Sequence, residues 1–232
     1  MKDVFLQQLR PALRFTMLAA VLFCCAGNFA GQVVVDKTVA TVTDGVKTEL
    51  ITLSDLRWQL ALEPGTQLAQ AGSDDLNRVL QQLINLRIFA LEAERIPRAA
   101  PTKNEIDTEI KRVLTLFPST AAFEARLRLV GFDSVRDDNF ERMMAQRVAI
   151  EKYLDFRFRS FIVITSEDEA KYYRETFVPD YRKNYPGVAV PALNASRSTI
   201  NRQLTENKVE ANIEAFLDEA KRRVEVVILS EV

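Results

Sequence analysis

LNRVLQQLINLRIFALEA, the stretch from Leu76 to Ala93, contains neither glycine nor proline and repeats its apolar residues at helical spacing. At 100° per residue the apolar side chains cover an arc of roughly 220°, about twice the stripe of an ordinary surface helix. The polar residues are confined to a narrow strip that can face water: Asn77, Arg78, Gln81, Asn85 and Glu92. The stretch therefore predicts a long core helix that neighbouring elements cover on several sides.

Helix-start signals precede this core helix and recur along the chain. Ser73, Asp74 and Asp75 predict its first turn, because short polar side chains accept unpaired N–H groups and acids complement the helix dipole. Pro97 predicts its end. Capping boxes, in which a Ser or Thr and an acid three residues later bond each other's backbone, predict further helix starts: Thr52 with Asp55, Thr102 with Glu105, and Ser166 with Glu169.

Two β-rich segments predict a small sheet. Val33 to Ile51 is rich in β-branched residues and contains the turn Thr43-Asp44-Gly45, a pattern typical of a hairpin. Val224 to Leu229 reads VEVVIL, and because an unpaired terminal strand is a liability, we expect it to join the hairpin. The predicted fold class is therefore mainly α, a helical domain with a small β-sheet that pairs the N-terminal hairpin with the C-terminal strand.

A long helix predicted to begin near Asp133 or Ser134 carries apolar residues on two faces. Ala149, Tyr153 and Phe156 project more than about 60° away from the other apolar stripe, which is expected to face the core. The members of that stripe are Phe140, Met143, Ile150, Leu154, Phe158 and Phe161. The second face is either another packing surface within the fold or an exposed patch used for binding.

The last third of the chain is predicted to form a helix, a loop and a closing helix. The first of these helices contains Tyr172 and Tyr173 and is interrupted at Pro179. Residues 179–193 concentrate proline and glycine without a clean period, which indicates a connecting loop. Helical spacing resumes near Ser196 or Ser198 and continues to Ala220.

Residues 1–30 have the pattern of a secretory signal peptide, with basic residues before an apolar run of about 12 residues. That run is shorter than the roughly 20 apolar residues of a transmembrane helix, so we expect a secreted, periplasmic protein rather than a membrane-anchored one. A lipid-attachment site at Cys24 or Cys25 is a weaker alternative. Residues 31–232 contain no cysteine and are predicted to form a single domain.

The chain contains no histidine, the side chain most used for proton transfer near neutral pH and for binding zinc. The usual serine, cysteine and metal-dependent hydrolases therefore lack a base or a ligand set here. Its 31 basic and 32 acidic residues are interspersed, and no glycine-rich phosphate loop is present. We expect no cofactor, no metal site, no nucleic-acid partner and no small-molecule substrate.

Several segments together resemble the SurA family of periplasmic chaperones and their peptidyl-prolyl isomerase relatives. The resemblance covers nearly all of the chain after the signal, and it rests on ITLSDLRWQL, LQQLINLRIFALEAERIP, IEKYLDFRFRSFIVITSEDEAKYY and IEAFLDEAKRRVEVVIL. In that family such segments build a helical peptide-binding domain of the SurA and trigger-factor type, whose C-terminal part packs on the N-terminal helices. The resemblance implies an ATP-independent chaperone that binds unfolded polypeptides, outer-membrane proteins in particular.

Many members of that family also carry a parvulin isomerase domain of about a hundred residues before the last helix. Only the short connection 179–193 occupies that place here, far below the length of an independent domain. Parvulin sites also use histidine, which this chain lacks. The resemblance therefore implies a chaperone without an enzymatic site, with an isomerase or a structural adaptor subunit of an envelope complex as the alternatives.

Three aromatic residues are the candidate contacts for unfolded clients. Tyr153 and Phe156 are chosen because they project away from the stripe that holds their helix on the core. Trp58, the only tryptophan, is the third, either as a groove-lining aromatic or as an ordinary core residue. The competing interpretation is that the closing helix covers Tyr153 and Phe156, in which case both belong to the core.

Overall fold

The computed structural model describes residues 36–96 and 99–231; the signal-like segment 1–30, Val33 and Pro97 lie outside the described residues. The fold is mainly helical with a small antiparallel sheet, which confirms the predicted class. The strands are β1 Thr38–Thr43, β2 Thr48–Thr52 and β3 Glu225–Ile228. The helices are α1 Leu53–Ala61, α2 Ser73–Glu94, α3 Lys103–Leu114, α4 Thr120–Arg128, α5 Asp138–Leu154, α6 Ser166–Tyr172, α7 Val178–Asn184 and α8 Leu193–Lys221.

The sheet brings together strands from opposite ends of the described chain, in the order β2-β1-β3. β1 runs antiparallel to both neighbours, so that Ala40 lies opposite Ile51 on one side and opposite Ile228 on the other. The turn between β1 and β2 contains Gly45 with a φ of 87°, a conformation that glycine adopts without steric cost. The predicted pairing of the hairpin with the C-terminal strand is therefore confirmed.

α2 is the core helix that the spacing of its apolar residues predicts. It packs against the sheet, α1, α5 and α8, and buries Val79, Leu80, Leu83, Ile84, Ile88, Phe89, Ala90 and Leu91. Glu92 departs from the expected water-facing strip, because it is only 8% exposed and accepts a hydrogen bond from Arg223 at 3.1 Å. The helix begins at Ser73 as predicted, but its N-cap is Gly72, which supplies no side-chain cap.

Two of the predicted capping boxes are confirmed, at the starts of α1 and α3. The box at the start of α6 is formed by Thr165 and Asp168, one residue before the predicted pair Ser166 and Glu169. Glu169 is instead buried, and its carboxylate lies 3.0 Å from the guanidinium of Arg197 on α8. Asp168 and Glu169 each lie three residues after a Thr or Ser, so spacing alone does not identify the capping acid. Packing decides that Asp168 caps the helix and that Glu169 is buried.

α5 begins later than the predicted start at Asp133 or Ser134. Its N-cap is Asp137, whose carboxylate accepts a hydrogen bond from the N–H of Phe140 at 3.4 Å. Phe132, which precedes this helix, is buried and packs against Phe140 with ring centroids 5.5 Å apart. The residues between these two rings, up to Asp137, do not form a helix.

After Leu154 the backbone changes from an α-helix to a π-turn, Asp155–Arg159. The N–H of Ser160 bonds the carbonyl of Asp155 at 3.2 Å, an i→i+5 bond. Such a turn holds more residues than an α-helical turn, so side chains beyond this point no longer follow the 100° spacing. As a result Phe161, predicted to face the core, is 72% exposed.

Pro179 does not end a helix, contrary to the prediction. α6 continues through a second π-turn, Tyr173–Phe177, directly into α7, where Pro179 occupies the first turn. The N–H of Val178 bonds the carbonyl of Tyr173 five residues earlier, so Pro179 lies at a break in the regular i→i+4 hydrogen bonding rather than within it. The connecting loop is therefore shorter than predicted, residues 185–192, and α8 begins at Leu193 rather than at Ser196 or Ser198.

The helices enclose two hydrophobic clusters. One lies between the sheet, α2 and the C-terminal half of α8, and the other between α1, α3, α4 and α5. α6 and the π-turn after it pack against α8, and with α7 they form a helical arm that has few buried residues, among them Ile200. Within the described parts of the chain, no helix is both long and apolar enough to cross a membrane.

Candidate binding groove

Two adjoining cavities form a groove along one side of α5. The first, about 510 Å³, lies between α1, α2 and α5, and the second, about 310 Å³, lies between the C-terminal half of α2 and α5. Both are lined by Pro101, Gln146, Ala149 and Ile150, so they are continuous along the helix. A site of this size can accept one or more large side chains of a ligand.

The walls of the first cavity are largely apolar. Leu83 and Leu86 come from α2, and Met143 and Ile150 come from α5, seven residues apart and therefore on one face of that helix. Trp58 closes the cavity from α1. The sequence pattern places these side chains on one surface of each helix, and the packing of the three helices brings the surfaces together.

Trp58 is held in a single orientation. Its indole Nε1–H donates to the carbonyl of Val130 at 3.0 Å, and its ring lies 4.9 Å from the ring of Phe132. The N–H of the indole is thus bonded to the backbone, and the side chain also lines the first cavity. A fixed aromatic wall offers contact area at little cost in conformational entropy.

Arg126 of α4 holds the C-terminal end of α1, and hence Trp58, in place. Its guanidinium donates to the carbonyls of Leu60, Ala61, Glu63 and Thr66 at 2.6 to 2.8 Å. Burial lowers the pKa of Arg126, but an arginine remains protonated at any physiological pH. Ala61 ends α1, where carbonyls lack partners within the helix, and Arg126 supplies one; the carbonyl of Leu60 also accepts from the N–H of Glu63 at 3.1 Å.

Arg87 joins three of the elements around the first cavity. It lies 3.3 Å from the carboxylate of Asp55 on α1, donates to Gln146 of α5 at 2.9 Å, and donates to the carbonyl of Leu50 on β2 at 3.3 Å. Its side chain is only 14% exposed. The cation therefore has a structural function and is not available to a ligand as a free charge.

The rim of the cavity carries two further arginines. Arg147 lies 3.3 Å from the buried carboxylate of Glu109, whereas Arg142 bonds Asn139 and has no carboxylate within 4.0 Å among the described residues. Burial raises the pKa of Glu109, but the hydrogen bonds and charges of Arg112 and Arg147 outweigh that effect and hold it below its usual value. The mouth of the groove is accordingly more basic than acidic.

Tyr153 is a core residue, so the prediction that it is an exposed contact for clients is wrong. It is 1% exposed, and its ring lies 6.4 Å from the ring of Phe216 on α8, so the closing helix covers it as the competing interpretation expects. It lines the second cavity, and its hydroxyl has no hydrogen-bond partner among the described residues. Burial raises the pKa of this phenol.

Phe156 lies in the π-turn and is separated from Tyr153 by the change in helical register. It is 40% exposed and forms an edge-to-face pair with Phe161, ring centroids 6.1 Å apart. It lines neither cavity of the groove. The structure therefore does not bring the three candidate residues into one site, since Trp58 lies on the first cavity, Tyr153 in the core beside the second, and Phe156 on a separate surface.

Leu86 and Met143 line the groove but are not singled out by the sequence. A signal for Leu86 is present, because an apolar arc of roughly 220° on one helix exceeds what packing on a single side requires. Met143 belongs to the stripe predicted to face the core, and no local pattern distinguishes a core position from a groove wall.

The lining of the first cavity offers apolar side chains, three amides and four charged groups, and among the described residues no cluster of His, Cys, Asp or Glu could hold a metal ion. No protein-family model matches the chain, and neither does any curated protein. The resemblance to the SurA family stays a prediction from the segments quoted above.

Proposed function

We propose that this protein is an ATP-independent chaperone of the periplasm, which binds unfolded polypeptides, outer-membrane proteins among them, in the groove along α5. The observation that carries the proposal is the open first cavity with its largely apolar walls, Trp58, Leu83, Leu86 and Met143, beside which the charges of Asp55 and Arg87 are paired with each other. Apolar walls favour apolar and aromatic side chains, and these are the groups that an unfolded chain exposes and a folded protein buries.

The composition of the groove suits a ligand of variable sequence. Burial of apolar surface contributes about 25 cal/mol per Å² without directional bonds, so it depends on the area of a client side chain rather than on its identity. The flexible thioether of Met143 adapts to side chains of different shapes. Binding of this kind is reversible, and release needs no energy from a nucleotide.

The proposal includes no enzymatic step. It takes residues 31–232 as one chaperone domain without an inserted isomerase domain, and residues 1–30 as the signal that directs the chain to the periplasm. The same groove could hold one fixed partner in an envelope complex, which is the adaptor alternative. A chaperone and an adaptor differ in the number of ligands that they accept.

Filling the groove tests the proposal. Ala149 lines both cavities, so Ala149→Trp places an indole inside the groove without removing a core side chain. The matched control is Ala211→Trp, which makes the same change at an exposed position of α8. Aggregation of an unfolded outer-membrane protein, followed by light scattering, should be suppressed by the wild type and by Ala211→Trp, and much less by Ala149→Trp.

Thermal melting of both variants provides the control for folding. If Ala149→Trp melts normally and still protects the client as well as the wild type does, the groove is not the client site. If the wild type protects none of several unfolded proteins but retains one envelope protein in a complex, the adaptor function replaces the chaperone function.

A further inference from the structure

The helical arm carries a row of aromatic rings that lies apart from the groove. Tyr173, Phe177, Tyr181 and Tyr185 follow one another at intervals of four residues, and successive ring centroids are 5.7, 5.8 and 4.8 Å apart. Side chains four residues apart are neighbours on a helix surface, so the row extends from the π-turn to the end of α7. None of the four residues is buried. The row is therefore not a core cluster of the fold.

A cavity of about 250 Å³ lies beside this row, between α7 and the first half of α8. Phe177, Tyr181 and Tyr185 line it from the arm, and Ile200 and Gln203 line it from α8. Ile200 is buried, whereas Tyr185 is 54% exposed, so the cavity has an apolar base and an aromatic wall that reaches solvent. It is smaller than the usual site of a drug-sized ligand, and its size suits one side chain.

Among the described residues, one charged residue lines this cavity, Asp180 of α7. Its carboxylate forms no ion pair and accepts no hydrogen bond within the described part of the chain. By contrast, the carboxylates of Asp168 and Glu169 on α6 each lie 3.0 Å from a basic side chain of α8. Arg182 and Lys183 follow on α7 but do not line the cavity. The cavity therefore presents an unpaired negative charge next to aromatic rings.

This combination of groups selects a cation. The faces of aromatic rings carry negative partial charge and attract a cation within about 6 Å of the ring centroid. The protein makes the same contact elsewhere, where the guanidinium of Arg157 lies 4.6 Å from the ring centroid of Phe216. An anion would be repelled by Asp180, and an apolar group would bury the carboxylate without a partner.

We infer that the cavity between α7 and α8 binds the cationic end of an arginine or lysine side chain of another polypeptide. The cation lies against the rings of Tyr181 and Tyr185, and Asp180 is its counter-ion. The aliphatic stem of such a side chain packs on Phe177 and Ile200, an apolar surface that a small amine without a stem would leave unused.

The inference goes beyond the proposed function and does not rest on it. The described residues that line the cavity of the arm are different from those that line the two cavities of the groove. Ala149→Trp, which fills the groove, should therefore leave the binding of a basic peptide unchanged. A protein without chaperone activity would still be expected to bind a basic segment at the arm.

NMR signals of the tyrosine rings test the class of ligand directly. The full chain has five tyrosines, so single Tyr→Phe variants assign each ring signal. Titration with N-acetylarginine amide should shift the signals of Tyr181 and Tyr185 to saturation. N-acetylcitrulline amide has nearly the same shape without the charge, and it should bind at least about tenfold more weakly.

The same titration with a pentapeptide that carries one central arginine tests the residues of the site. Asp180→Asn removes the charge and keeps the size of the side chain, so it should weaken binding at least about tenfold. Asp218→Asn, the same change at an exposed position of α8 away from the cavity, is the matched control and should bind like the wild type. Tyr181→Leu should also weaken binding, whereas Tyr181→Phe keeps the ring and should retain it. Circular dichroism confirms that each variant is folded.

Three results would overturn the inference. One is equal binding of the arginine and citrulline amides, which would mean that the charge is not recognised. Another is a folded Asp180→Asn variant that binds the arginine peptide as tightly as the wild type does. The last is binding of vesicles that contain phosphatidylethanolamine, lost in Asp180→Asn, without binding of the arginine peptide, which would assign the cavity to a lipid headgroup.

Discussion

The carboxylate of Glu92 lies 3.1 Å from the guanidinium of Arg223, a residue 131 positions later in the chain. Glu92 belongs to the last turn of the core helix α2, and Arg223 stands between α8 and the C-terminal strand β3. Arg95 also approaches the same carboxylate, at 3.3 Å. The pair joins the core helix to the closing segment at the point where the sheet is completed.

Loss of Arg223 should destabilise the protein. Arg223→Gln leaves the nearly buried carboxylate of Glu92 with Arg95 as its remaining cation, and loss of a charged hydrogen-bond partner costs about 1–3 kcal/mol. The free energy of unfolding from urea titration should fall by that amount. Arg222→Gln, which removes an exposed neighbouring charge, is the control and should change stability little; equal losses in both variants would contradict the prediction.

Removal of β3 should prevent folding to a soluble product. A chain that ends at Arg223 lacks the strand that pairs with Ala40, Thr41, Val42 and Thr43 of β1, so it exposes a sheet edge and part of the core beneath it. Expression followed by fractionation should show loss of soluble protein. A chain that ends at Leu229 keeps the strand and is the matched control. A soluble short chain with an unchanged melting temperature would show that β3 is dispensable.

Tyr153 and Phe156 should differ strongly in their contribution to stability. Tyr153→Ser removes a buried ring and should lower the free energy of unfolding by about 3–5 kcal/mol. Phe156→Ser changes a residue that is 40% exposed and should cost below about 1 kcal/mol. Urea titrations of the two variants measure this contrast, and similar losses would mean that the π-turn does not separate their environments.

Tyr153→Phe should leave stability unchanged or raise it by up to about 2 kcal/mol, because it removes a hydroxyl that is buried without a hydrogen-bond partner. It should also alter the pH dependence. Burial raises the pKa of Tyr153, so above about pH 10 the unfolded chain loses this proton while the folded chain keeps it, and stability falls as pH rises. The wild type should lose more stability between pH 9 and 11 than Tyr153→Phe; equal loss would contradict the assigned environment.

The protein should not accelerate prolyl isomerisation. Catalysis requires a pocket complementary to the twisted X–Pro bond, and the groove is an open apolar surface whose polar groups are paired or lie at its rim. A protease-coupled peptide assay should give the uncatalysed rate at every protein concentration. A rate that increases with protein concentration and survives repurification would show that an isomerase site is present.

Features that depend on a few neighbouring residues can be predicted from the sequence. The capping boxes at Thr52 and Thr102 and the turn at Gly45 are examples, because the groups that bond lie within one turn of the backbone. The pairing of β3 with the hairpin is also predictable, since a second β-rich segment had a single available partner. For the candidate groove, the sequence indicates Trp58 but not Leu86 or Met143, whose roles depend on how three helices pack.

The sequence by itself determines the helical class, the core helix, the small sheet and the absence of histidine chemistry, because these follow from composition and from short-range spacing. Only the tertiary structure decides that Tyr153 is buried while Phe156 is exposed. The physical reason is that spacing arguments assume a constant 100° per residue. The π-turn after Leu154 breaks that regularity, and the packing of Phe216 from α8 covers one ring and leaves the other on the surface.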